Sequence, residues 1–310
     1  MERMRLDDIL RSGGLALPSG AKVQVTGADP VLAARFPVGE VAAAALAACG
    51  AQAAHLWTLR GGAPQSASVD VRAAAASLLS FLFLRVDGDA RPRPSETNPC
   101  VALYPCADGR WIHLHGAFPH LLRGTLDVLD CAHDAESIGA AVRAWDALAL
   151  EDALAERGMC GAMVRTAEQW RAHPQGRALA GVPAVEIVRI GDADPRPLGT
   201  GDAPLDGVRV LDLTRVLAGP ACGRTLAQHG ADVLHVSSPR LPTIDVFDID
   251  TGHGKRSAYV DLDANGADAL RALLRDADVF IDGYRSGALE RRGFGPRDAA
   301  AARPGIVYVS

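Results

Sequence analysis

From Val208 to Leu213 the chain places Val208, Val210, Leu211 and Leu213 around Arg209 and Asp212. A short apolar run rich in β-branched residues predicts a strand buried on both faces of a parallel sheet. Leu217-Ala-Gly-Pro220 breaks that strand, and Ala221 to Gly230 reads as a helix with Leu226 facing inward. The same rhythm then repeats. Val233 to Val236 and the alternating Ser257 to Asp261 read as strands, and Ala264 to Asp276 carries Leu270, Leu273 and Leu274 on one helical face. Val279 to Ile281 and Ile306 to Val309 are two further short apolar strands. The pattern predicts an α/β fold with a Rossmann-like parallel sheet and helices on both faces.

The first two hundred residues follow a different pattern. Val41 to Arg60 is an alanine-rich helix, and Ser66 to Val71 alternates as a strand. Tyr104-Pro-Cys-Ala-Asp-Gly-Arg-Trp111 reads as two alternating strands joined by a two-residue turn at Asp108-Gly109. Leu121 to Leu129, Ile138 to Trp145 and Leu148 to Arg157 are amphipathic helices suited to pack on that hairpin, which makes a smaller α+β domain. Pro195 to Pro204 is rich in Pro and Gly and lacks apolar periodicity, as a linker does. The expected division is therefore 1–97, helix-rich; 98–190, the small domain; 191–204, the linker; and 205–310, the Rossmann-like segment.

A loop between a parallel strand and a helix N-terminus offers free N–H groups and a positive dipole end to an anion. The stretch from Val216 to Pro220 is thus a seat for a phosphate-bearing ligand. A dinucleotide is not the expected one, because a Rossmann fingerprint needs G-x-G-x-x-G in this turn and an acid at the end of the next strand. Here the turn reads Gly219-Pro220-Ala221-Cys222-Gly223, and the next strand ends in Ser237 and Ser238.

Composition narrows the classes further. A net charge of −5 with no basic run argues against nucleic acid as a partner, and 48% hydrophobic residues in 310 suffice for two cores. The charged start Met1-Glu-Arg-Met-Arg-Leu-Asp-Asp does not read as a signal peptide, and no apolar run is expected to reach transmembrane length, Ala73 to Leu84 being the nearest. Six cysteines without paired spacing suit a reducing cytoplasm. His113, His115, His120 and His173 read as ordinary strand-face or surface histidines, since Cys100 and Cys106 lack zinc-site spacing and no second pair lies near. No G-x-S-x-G elbow or P-loop occurs.

The blocks GVRVLDLTRVLAGP, GADVLHV, GKRSAYVDL, ADVFIDGYRSGALERRGF and RPGIVYVS, in that order over the last third, resemble the opening of the family III CoA-transferases, the CaiB/BaiF group. The resemblance implies that Val216 and Leu217 meet the adenosine of coenzyme A, with Ala218, Gly219 and Pro220 forming the backbone turn. It places Arg291 against the phosphates with Arg292 assisting, and Lys255 and Arg256 close to the bound molecule. A planar guanidinium suits phosphate because it donates two parallel hydrogen bonds. Two positions depart from the family. Gly283 stands where an asparagine is usual, and Ser237 and Ser238 replace an acidic and basic pair, with Arg240 two residues further on as compensation.

The earlier part resembles the rear of such a module. Phe36-Pro-Val-Gly39-Glu40 before the alanine-rich helix, and Ser66-Ala-Ser-Val-Asp-Val71, are similar to the section that carries the family's catalytic Gly-Asp. Glu40 takes the aspartate's place, one methylene longer and just ahead of a helix whose dipole favours an anion. Tyr104 to Leu114 and Glu168 to Gln175 resemble the family's small domain. The chain thus reads as the rear of one module followed by the front of another. The expected arrangement is a fusion whose second aspartate lies past Ser310, with a permuted module as the other possibility.

What the resemblance implies is transfer of coenzyme A between an acyl-CoA and a small carboxylic acid, through acyl and CoA adducts on Glu40. No tightly bound cofactor is expected, coenzyme A and acyl-CoA being substrates. An interlocked homodimer, with no nucleic acid and no membrane partner, completes the expectation. Racemisation of 2-methylacyl-CoA and a CoA-binding relic without catalysis remain as alternatives.

Overall fold

A computed structural model describes residues 6–90 and 98–310; most of the charged start lies outside them. The chain divides into two compact units, Met1–Arg91 with Pro183–Ser310, and Pro92–Val182. The expected segment 205–310 therefore shares one unit with residues 1–91 of the expected segment 1–97.

That unit begins with α1 (Leu6–Ser12), β1 (Lys22–Thr26), α2 (Val38–Leu59), β2 (Ser66–Asp70) and α3 (Val71–Ser77), followed by a two-residue-strand hairpin, β3 (Arg85–Val86) and β4 (Asp89–Ala90). β1 and β2 pair in parallel, Lys22 opposite Ser66 through Thr26 opposite Asp70, with α2 as the crossover between them. Asp70 ends the strand and starts the next helix, because its carboxylate accepts the Ala73 N–H at 3.0 Å. α2 buries Ala42, Ala43, Ala44, Ala47, Ala48, Ala51 and Ala53. These small side chains let α3 approach closely through Val71 and Ala74. The expectation that no stretch reaches transmembrane length is corrected here: Val38–Leu59, at 22 residues, is long and apolar enough by length and composition alone. Alanine is the reason, since it adds hydropathy without the bulk that marks an apolar run to the eye.

The second unit holds an antiparallel sheet in the order β5 (Val101–Pro105), β6 (Trp111–His115), β7 (Gly161–Met163), with α4 (Pro119–Leu129), α5 (Ala135–Val142) and α6 (Ala147–Glu156) contributing its core. Tyr104, Ile112 and Leu114 meet Ile138, Val142, Leu150 and Leu154 there. The β5–β6 connection is a three-residue loop rather than the expected two-residue turn: Cys106 and Arg110 still pair, with the Cys106 N–H donating to the Arg110 carbonyl at 2.8 Å. Gly109 takes the left-handed position, φ +75°, that such a loop requires. α7 (Ala167–Ala172) opens on a capping box between Thr166 and Gln169, and α8 (Pro174–Leu179) follows.

The first unit resumes with β8 (Arg209–Leu213), α9 (Ala218–Gln228), β9 (Asp232–Ser237), α10 (Asp245–Thr251), β10 (Lys255–Tyr259), α11 (Ala267–Arg275), β11 (Val279–Asp282), α12 (Pro296–Ala302) and β12 (Val307–Val309). All strand pairs are parallel, in the order β10-β9-β8-β11-β12. Side chains alternate across β8. Val210 packs with Val233, Ile281 and Leu226 of α9 on one face, and Leu211 and Leu213 pack with Leu270, Leu274 and Phe280 on the other. Helices cover both faces, as the α/β reading of the sequence expects.

Two seams join the early and late parts of this unit. Phe81 meets Phe247 edge-on with ring centroids 4.8 Å apart, and Ser80 donates to Asp250, which also pairs with Arg224 at 2.8 Å. At the end of α2, Arg60 donates Nε to the Pro204 carbonyl, Nη1 to the carbonyls of Leu198 and Gly199, and Nη2 to that of Asp206. One guanidinium thereby holds the linker. Arg60→Ala is expected to lower unfolding free energy by about 1–3 kcal/mol and to raise the rate of thermolysin cleavage within 195–204, both readable on the intact chain.

Candidate functional site

β8 places an acid in an otherwise apolar strand. Asp212 is fully buried, and its Oδ1 accepts from Thr214 twice, from the backbone N–H at 3.1 Å and from Oγ1 at 2.5 Å. Lys255, on β10, donates Nζ to Asp212 Oδ2 at 2.8 Å and to the Pro220 carbonyl at 2.7 Å. The two side chains are 3% and 0% exposed. One buried ion pair therefore grips both ends of the loop from Thr214 to Pro220. His235 stands alongside, Nδ1 3.6 Å from Asp212 Oδ2 and Nε2 2.9 Å from Ser237 Oγ. Burial works to raise the Asp212 carboxyl, and the neighbouring His235, the Lys255 ammonium and the Thr214 hydroxyl outweigh it, so the group titrates below the ordinary carboxylate range.

Lys255 is thus placed beneath the loop, its ammonium already committed, rather than facing a ligand. Arg256, expected beside it, extends to the opposite end of the sheet. It makes a two-oxygen pair with Asp232, the first residue of β9, while the loop lies past the last residue of β8.

The loop itself corrects the expected turn. Ala218, Gly219 and Pro220 are already the first turn of α9, and the left-handed residue is Val216, φ +70°. A β-branched side chain is strained there, and such strain persists only where surrounding structure enforces it. Gly219 is required for packing instead of turning, because an added Cβ would lie 2.5 Å from Thr214 Cβ. Gly283 has the same cause: its Cβ would lie 2.8 Å from that atom. The residue that departs from the family pattern is therefore one for which this chain has no room for a side chain.

Thr214 to Leu217 follows β8, and Gly283-Tyr284 follows the adjacent β11. The strand order reverses direction between those two strands, which is where open parallel sheets bind ligands. Arginines ring this carboxyl edge. Arg215 donates to the Pro242 carbonyl, and Arg240 pairs with Asp261 at 2.7 Å. Arg292 is held by the Leu262 carbonyl and Asp263. Arg291 is exposed, its Nη1 lying 3.0 Å from where a Cβ on Gly287 would sit. Of the expected phosphate ligands, Arg292 is engaged by Asp263, whereas Arg291 is exposed and makes no ion pair among the described residues.

Glu40 lies inside the first turn of α2 rather than just ahead of it, and it is half-buried. Its N–H donates to Asp29 Oδ2 at 2.8 Å, and its Oε1 accepts the Asp29 N–H at 3.3 Å. Sequence reasoning passed over Asp29, Asp212 and Thr214. Asp212 carried a signal, an acid inside a doubly buried strand; Asp29, eleven residues from its partner, carried none.

Lys255→Met is expected to leave the Asp212 carboxylate buried without its cation and to cost about 3–5 kcal/mol in chemical denaturation. Because the native carboxyl titrates below its unfolded value of about 4, its stabilising contribution is complete above that pH and fades as pH falls through the lower folded value. Lys255→Met, with that carboxyl raised, shifts acid unfolding to higher pH.

Among known proteins, the profile of CoA-transferase family III matches residues 12–191 and 205–310. An acyl-CoA transferase of Gibberella moniliformis is 34% identical over 230 residues, 67% of this chain and 40% of that protein. Acetyl-coenzyme A transferase nodX of Hypoxylon pulicicidum is 32% identical over 233 residues, 67% and 39% of the two chains. The matched region therefore spans about two fifths of the length of these relatives. The crystal structure of Rv3272 from Mycobacterium tuberculosis matches 34% of this chain and 33% of that one, at 32% identity and a TM-score of 0.32. The match extends over most of the chain, and the chain belongs to CoA-transferase family III.

Proposed function

We propose that this protein moves coenzyme A between an acyl-CoA and a free carboxylic acid, with Glu40 as the carboxylate that carries the adducts. The observation that carries the reading is the gripped loop from Thr214 to Pro220 at the sheet's reversal point, in the same unit as the helix that bears Glu40. Val216, Leu217 and the N–H groups opening α9 line the place for the adenosine and diphosphate, and Arg291 supplies a guanidinium for phosphate. Lys255 serves by holding the loop, and Arg292 by fixing the segment on which Arg291 sits.

The steps follow from carboxylate and thioester chemistry. A Glu40 oxygen attacks the thioester carbonyl, the C–S bond breaks, and a mixed anhydride and CoA thiolate result. The thiolate attacks the glutamyl carbonyl, releasing the donor's carboxylate and leaving a glutamyl thioester. An acceptor carboxylate attacks that thioester, forming a second mixed anhydride and expelling the thiolate, which attacks the acceptor's acyl carbon, breaks the anhydride C–O bond and frees the Glu40 carboxylate. No net proton is consumed. The six free cysteines suit a reducing cytoplasm, and the family resemblance favours an interlocked homodimer, which light scattering checks.

Calorimetry with coenzyme A tests the cradle. Arg291→Ala is expected to weaken binding about tenfold, the value of one charge-assisted contact. Glu40→Gln is expected to leave coenzyme A binding within about twofold while reducing exchange of labelled coenzyme A into acyl-CoA by at least about a hundredfold. Incubation with acyl-CoA and hydroxylamine, followed by mass spectrometry, should mark Glu40. Coenzyme A binding without exchange or adduct would overturn the transferase reading and leave a binding protein.

A further inference from the structure

We infer that Asp29 is a positioning residue for Glu40, fixing through the start of α2 the direction from which that carboxylate meets its substrate; the inference rests on the role proposed above for Glu40. α2 has no local cap, because Pro37 occupies the N-cap and makes no side-chain hydrogen bond to the helix. Orphan N–H groups at a helix start need acceptors. Asp29, in the connection after β1 and eight residues before Pro37, supplies one, Oδ2 taking the Glu40 N–H at 2.8 Å. Its other oxygen takes the Val31 N–H at 3.1 Å, which ties the connection into a turn. The Asp29 backbone N–H then returns a bond to Glu40 Oε1 at 3.3 Å. The exchange is reciprocal, as in a capping box, but spans eleven residues.

Gly39 makes this approach possible. It is buried, and a Cβ there would lie 2.8 Å from Asp29 Oδ1 and 3.0 Å from Val71 Cγ1. Two carboxylates thus meet at one helix start with different duties. Both Asp29 oxygens accept backbone N–H groups, so its carboxylate is oriented toward the protein. Glu40 has one more rotatable bond than an aspartate, and attack on a thioester demands an aligned approach. The bond from the Asp29 N–H removes part of that freedom.

The test uses Asp29→Asn and Asp29→Ala in the full chain. Asparagine keeps one acceptor oxygen, and alanine keeps neither. The expected kcat falls about tenfold for Asn and about a hundredfold for Ala, with KM for acyl-CoA within about twofold, as misplacement of a reacting group predicts. Asp29→Ala combined with Pro37→Ser separates positioning from folding. A local serine cap is expected to restore thermal stability and to leave kcat low. A readout independent of turnover is the rate at which a carbodiimide couples glycinamide to Glu40, expected to change at least about threefold in Asp29→Ala.

Recovery of kcat along with stability in the double variant would reduce Asp29 to a structural cap. An adduct trapped on Asp29, or an unchanged kcat and unchanged Glu40 labelling in Asp29→Ala, would likewise overturn the inference. Should wild-type protein bind coenzyme A and yet form no adduct, the reading of Glu40 fails, and the labelling rate still decides whether Asp29 holds it.

Discussion

The buried pair of Lys255 and Asp212 is the constraint on which the late part of this chain depends. It links β10 to β8 across β9 and holds the loop after β8 at both of its ends. A buried ion pair is poor evidence of stability in itself, since desolvation offsets much of the attraction. Its value here is directional. Lys255 reaches a carbonyl in the first turn of α9 while Asp212 fixes Thr214, so the intervening residues have little choice of path, and Val216 is held in a backbone region its side chain disfavours. The absent side chains at Gly219, Gly223 and Gly283 follow from the same crowding.

The early part meets this region through side chains rather than through a shared sheet. Phe81 against Phe247, Asp250 between Ser80 and Arg224, and Arg60 on three linker carbonyls and that of Asp206 bring residues more than a hundred positions apart into one unit. Such contacts join parts whose covalent path, from the helix of Glu40 to the loop of Val216, runs through the other unit and the linker.

Much of this was legible in the residues. β8, β9, β11 and β12 were readable because each is a short apolar run, and α11 because Leu270, Leu273 and Leu274 stand at helical spacing, whereas β10 runs Lys255–Tyr259, two residues before the expected Ser257 to Asp261, because its charged start carries no apolar signal. The turn at Asp108-Gly109 was located but miscounted, since composition marks a turn and only pairing fixes its length. The burial of Lys255 was not legible, because the partner that makes it tolerable, Asp212, lies 43 residues away. Asp29 escaped because a cap from outside the helix leaves no local spacing to detect. The helix start was read late by one turn at both α2 and α9, where Pro37 and Leu217 offer none of the hydroxyl or amide caps that announce a boundary.

The alanine contact of α2 has a thermodynamic consequence. Methyl groups lose no rotamer freedom on burial and remove little apolar area from water, whereas Phe280, Leu270 and Leu274 remove much. Heat capacity of unfolding scales with that area. The two cores of this unit therefore draw on different sources: dispersion between closely approached backbones around α2, and solvent exclusion around the five-stranded sheet. Cooling weakens the second more than the first. The half of the unit that grips the loop is the half whose cohesion varies most with temperature.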